Sequence, residues 1–71
     1  MTENNMVRVS IPEAANNIAK EMKEKYSGKL INKRGIRKLY ALPYVRAVEI
    51  FTILIADYGF KEETRFTLRV P

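Results

Sequence analysis

The chain of 71 residues sets the size of one domain, near the lower limit for a self-sufficient core. With 46% hydrophobic residues in clear periodic patterns, it is expected to fold rather than remain disordered. It contains neither cysteine nor histidine. That excludes disulfides and thiolate metal sites and removes the usual general base and soft nucleophile. No Gly-rich phosphate loop occurs either, so the expectation is a non-enzymatic protein without metal or cofactor.

The net charge of +5 is unevenly spread. Residues 25–48 hold seven cations (Lys25, Lys29, Lys33, Arg34, Arg37, Lys38, Arg46) and no acid, leaving six cations and all eight acids elsewhere. An acid-free basic run of this kind suits a surface that faces a polyanion.

In chain order, residues 1–5 are polar and expected to fray. No signal-peptide layout is present, and the apolar stretch at 50–56 is too short to span a bilayer. A cytoplasmic, nucleoid-associated location without membrane contact is expected. Met6 to Ile11 alternates, with Val7, Val9 and Ile11 on one side, and predicts a short strand. Ser10-Ile-Pro-Glu13 then reads as a capping box opening a helix over 12–26. Its core stripe is Ala15, Ile18, Met22 and Tyr26, with Gly28 past its end. Leu30-Ile31 predicts a second short strand.

Asn32 is the expected N-cap of a short helix from Lys33 to Tyr40. Ile36, Leu39 and Tyr40 form its inner side, and Lys33, Arg34, Arg37 and Lys38 its outer side. Gly35 suggests close approach of the next helix or of a phosphate backbone. Leu42-Pro43 breaks the pattern, and Pro43 fits the first turn of a new helix that ends before Gly59. With about 100° of rotation per residue, Tyr44, Val48, Phe51, Ile55 and Tyr58 share one face and form the expected core centre. Arg46, Glu49, Ile50, Ile53 and Asp57 fall opposite. Ile50 and Ile53 would then be uncovered apolar surface, a candidate contact for a homodimer. Phe60 to Val70 predicts a hairpin turning at Glu62-Glu63-Thr64, with Phe66, Leu68 and Val70 inward.

Helix, tight turn, helix and hairpin over residues 29–70 resemble a winged helix-turn-helix domain. Leu30-Ile31 takes the place of its short strand, IRKLYALPY of helix 2 plus turn, VRAVEIFTILIADYGF of the recognition helix and KEETRFTLRV of the wing. The fold this implies is α+β: three helices, a C-terminal β-hairpin wing and a short N-terminal strand, as a single domain over 6–71. The function it implies is that of a small DNA-binding protein, a transcriptional regulator or accessory factor on double-stranded DNA. Lys33, Arg34, Arg37 and Lys38 would anchor phosphates, Tyr44 and Arg46, with Glu49, would face bases, and Lys61 and Arg65 would steady the wing. A dimer would suit half-sites about 34–36 Å apart. The third helix departs from the pattern, since Arg46 is its only cation.

Two other readings are open at this point. MVRVSIPEAANNIAKEM also resembles the strand and first helix of ribbon-helix-helix repressors, where Arg8 and Ser10 would enter the major groove. A winged helix can also serve as a protein-interaction or ribosomal RNA-binding module.

Overall fold

The computed structural model describes residues 10–71. The first helix, α1 (Ile11–Lys25), starts where expected, because extended Ser10 accepts from the Glu13 amide at 3.3 Å. Pro12 occupies its first turn, where a missing N–H costs nothing. Ala14, Ala15, Ile18, Ala19 and Met22 are buried along one stripe. The predicted N-terminal strand lies outside the described residues at 6–9. Ile11, assigned to that strand, is instead the first helical residue.

Gly28, at φ +81°, turns the chain into β1 (Leu30–Asn32). β1 pairs antiparallel with β3 (Thr67–Arg69), placing Ile31 opposite Leu68, and both side chains are buried. The Gly28 amide to the Val70 carbonyl and the Val70 amide to the Lys29 carbonyl, each 2.9 Å, extend this ladder. β2 (Lys61–Thr64) pairs on the other side of β3, so the sheet order is β1-β3-β2. Arg69 therefore lies on the central strand and is not the edge cation that the alternation suggested. It bonds Glu63 at 3.0 Å and the Gly28 carbonyl at 3.0 Å.

α2 (Lys33–Leu39) is capped by Asn32, whose Oδ1 accepts from the Gly35 amide at 2.7 Å. The same cap explains Gly35. A Cβ there would lie 3.2 Å from Asn32 Oδ1 and 3.3 Å from Ile31 Cγ2. The close approach is thus by the cap and β1, and neither the third helix nor a ligand is needed to account for it. Ile36 is buried and Tyr40 half-buried, but Leu39, expected inside, is exposed.

The chain bends by 114° between α2 and α3 (Tyr44–Asp57), within the range of helix-turn-helix motifs. The Leu42 amide reaches back to the Arg37 carbonyl at 3.0 Å, and Ala41 adopts φ 52° between them. A non-glycine residue in this left-handed position costs about 1–2 kcal/mol. Burial of Leu42 just beyond it offsets the strain. At the far end, Gly59 at φ +79° lets the chain leave α3 toward β2 and bury Phe60.

The result is an α+β domain with three helices and a small three-stranded antiparallel sheet in a winged-helix-like layout. Among the described residues no single helix is long and apolar enough to cross a membrane.

Several expectations fail here. The buried face of α3 is Ala47, Ile50, Phe51 and Leu54, and Tyr44 is half-exposed. Val48, Ile55 and Tyr58 are only half-buried. Ile50 is fully buried and Ile53 is half-buried against the core, so neither is the freely exposed isoleucine on which the dimer contact was based. The cause is that both α1 and α2 pack on α3, and the core takes the side they share. The hairpin also turns later than expected. Glu62 and Thr64 belong to β2 with a bulge between them, and the turn is Arg65-Phe66. Thr64 Oγ1 accepts from the Phe66 amide at 3.2 Å and holds the turn there. Leu68 and Val70 point inward, while Phe66 is exposed.

Ile50→Ala should therefore cost about 2–5 kcal/mol, and Ile53→Ala distinctly less, in urea unfolding followed by circular dichroism. Equal losses would put the α3 core face in the wrong place.

The Tyr40 hydroxyl is buried beside the Glu21 carboxylate without a well-formed hydrogen bond among the described residues. Its polar neighbour is the Glu21 carboxylate, which is itself paired with Lys25 at 3.0 Å. Burial first, and that carboxylate second, hold the phenol well above its ordinary value. The pKa is raised in the folded state, so the associated stability is complete at neutral pH. It is lost as pH climbs past the ordinary phenol value of 10.0. Tyr40→Phe should remove that alkaline loss. At pH 7 it should leave the domain as stable as before, or up to about 1 kcal/mol more so, by thermal unfolding across pH.

Candidate nucleic-acid interface

The start of α2, the start of α3 and the hairpin turn converge on one side of the domain. They line a cleft of about 270 Å³ formed by Asn32, Lys33, Arg34, Tyr44 and Phe66. Each wall has a local cause. The Asn32 cap fixes where α2 begins, and Pro43, extended at φ −60° and ψ 152°, fixes where α3 begins. The Lys33 amide donates to the Phe66 carbonyl at 2.9 Å and ties the turn to the helix.

Lys33 behaves differently from its neighbours. It is half-buried, with its ammonium 4.9 Å from the Phe51 ring centre and 5.4 Å from that of Phe66. Contacts of this kind contribute about 0.5–2 kcal/mol, more as water is excluded. Lys33 is thus a structural pin as well as a charge. Arg65 lies over Phe66 at 5.9 Å. With Lys33 and Glu62 it also lines a neighbouring cleft along Phe51, Thr52 and Ile55.

Of the residues singled out in the sequence, Lys33, Arg34 and Tyr44 meet in the cleft. Arg65 joins them through Phe66 and Lys33. Arg37 and Lys38 are exposed further along α2, in its last turn, where they also complement the helix dipole. Arg46 is half-buried on α3. Lys61 is exposed but pairs with Arg69 at the far end of the hairpin, away from its turn. Ile53 faces elsewhere, into an open apolar groove with Ile11, Pro12, Val48, Glu49 and Thr52.

Two contributors escaped sequence reasoning. Asn32 was legible as a cap but not as a cleft wall. Phe66 was assigned to the core by alternation. The available signal for Phe66 was Thr64, whose hydroxyl favours a turn two residues on.

Among the described residues no side chain caps α3, and its first turn holds no acid. Its positive end is therefore unopposed beside Tyr44, which is 50% exposed, and Val45, which is 68% exposed. The face thus combines exposed cations, a helix N-terminus and two exposed rings. It can hold phosphates and stack planar groups.

No family model, curated protein or solved structure matches the chain.

Proposed function

We propose that the protein binds duplex DNA through the α2–α3 face, as a small transcriptional regulator or accessory nucleoid factor. The observation that carries this reading is the grouping of Arg34, Arg37 and Lys38, all exposed on α2, beside the uncapped start of α3. Arginine and lysine there neutralise phosphates, and the amides at the start of α3 can donate to one more. On α3, Tyr44 is the exposed side chain offered to base edges while Arg46 is half-buried and adds charge, and Arg65 supports the strand at the hairpin turn. Lys61 contributes only general positive charge.

The binding mode follows from how little the third helix brings to base readout. Arg46 is its single cation, and Glu49 and Asp57 oppose a close phosphate. Affinity would come mainly from backbone contacts, with modest sequence preference. A ribbon-helix-helix mode fits less well. The 27–42 segment and the C-terminal hairpin, for which that layout has no place, here form the sheet and pack α2 on α3. Ser10 serves as the α1 cap, and Arg8 lies outside the described residues. A homodimer is not required, because the proposed face lies within one chain.

The test spares Lys33, which the fold uses. Arg34→Gln with Arg37→Gln and Lys38→Gln should weaken binding to mixed-sequence duplex DNA. The slope of log affinity against log salt should flatten by about 0.9 for each phosphate that is no longer neutralised, read by fluorescence anisotropy. An unchanged slope in a folded triple variant would remove α2 as the phosphate anchor.

A further inference from the structure

The exposed ring of Phe66, in one cleft with that of Tyr44, is not explained by duplex binding. Tyr44 and Phe66 are half-exposed, at 50% and 54%, in a small domain that buries Phe51 and Phe60. They come from different elements and line the same cleft with Asn32, Lys33 and Arg34. Its volume of about 270 Å³ lies just below the roughly 300–1,000 Å³ of pockets for whole drug-sized ligands. It is suited to one planar group.

We infer that this cleft takes an unpaired base of a DNA strand, stacked on Tyr44 and Phe66, with Arg34 at the adjoining phosphate. This deepens the reading of the α2–α3 face as a DNA-binding surface, and rests on it, by naming the feature of DNA that the face prefers. Every base has a π-face, so aromatic walls accept any of them, whereas a fully stacked duplex offers none from the side. The cation pattern suits the same ligand. Lys33 at 5.4 Å and Arg65 at 5.9 Å both lie over the Phe66 ring and supply positive charge at the cleft. Asn32 uses its oxygen on the Gly35 amide, so its NH₂ group is the part left to donate to an acceptor on the base edge. Phe66 is positioned for this by the main chain, through the 2.9 Å bond from the Lys33 amide to its carbonyl. Truncating its ring therefore leaves the turn in place.

The experiment compares three DNA probes at one salt concentration: a paired duplex, the same duplex with a single bulged 2-aminopurine, and the bulged strand alone. A matching RNA bulge is the fourth arm. Wild type should bind the bulged duplex about 5- to 150-fold more tightly than the paired one, the range expected for one stacked base. It should also quench the 2-aminopurine. Tyr44→Ala with Phe66→Ala, checked for folding by circular dichroism, should lose the quenching and bind bulged and paired duplex equally, whatever its affinity for the paired one. Tyr44→Phe should retain both. Equal affinity of the wild type for paired and bulged duplex overturns the inference and leaves duplex binding standing. A preference that survives in the double variant also overturns it. Tight binding of the strand alone with none to paired duplex supports the cleft and overturns the duplex reading instead. Preference for the RNA bulge overturns the assignment to DNA, and no binding to any probe overturns both.

Discussion

The pairing of β1 with β3 is the constraint on which the rest depends. Leu30, Ile31 and Asn32 sit opposite Arg69, Leu68 and Thr67, joining two stretches of the chain that lie far apart in sequence. Asn32 takes part in that pairing and also caps α2. The next residue, Lys33, donates its amide to Phe66. One short strand thereby sets the start of α2, the place of the hairpin turn and the distance between them. Closing so long a loop is entropically costly. The buried pair of Ile31 and Leu68, with Val70 beside it, offsets that cost. Without the pairing, Phe66 would have no reason to lie near Tyr44, and the cleft would not form.

The excess charge divides into two populations once the fold is known. Lys33 is held between Phe51 and Phe66, Arg69 is tied to Glu63 and Gly28, and Lys25 pairs with Glu21. Lys23 lies near the rings of Tyr58 and Phe60, at 6.0 and 5.9 Å. The exposed pairs among these contribute little to stability, but they occupy cations that a count of charge would assign to a ligand. Arg34, Arg37 and Lys38 are exposed on one short helix. The basic run therefore does two jobs, and only part of it is available to a polyanion.

How legible this was from the sequence depended on whether the cause was local. The Ser10 and Asn32 caps, the break at Pro43 and the end of α3 at Gly59 are decided by one or two residues each, and they fall as expected. The buried face of α3 was not legible. Val45, Ala47, Val48, Ile50, Phe51, Ile53, Leu54, Ile55 and Ala56 make the helix apolar on several sides. Two different stripes then satisfy helical spacing, and the choice between them is made by α1 and α2 packing on it. The hairpin turn was misplaced because a bulge between Glu62 and Thr64 breaks the strict alternation that sequence reading assumes. The cations of α2 could be picked out in the sequence. The cleft could not, because its walls come from three elements that only the fold brings together.

The central claim is that the α2–α3–hairpin face, and no other, meets nucleic acid. It is tested most directly by titrating duplex DNA into ¹⁵N-labelled protein and following backbone amide resonances. Perturbations should concentrate at Asn32, Lys33, Arg34, Arg37, Lys38, Tyr44, Val45, Arg65 and Phe66, and diminish as salt is raised. The separate groove of Ile11, Val48 and Ile53 should stay quiet. Perturbations centred on that groove, or a spectrum indifferent to DNA at low salt, would contradict the account.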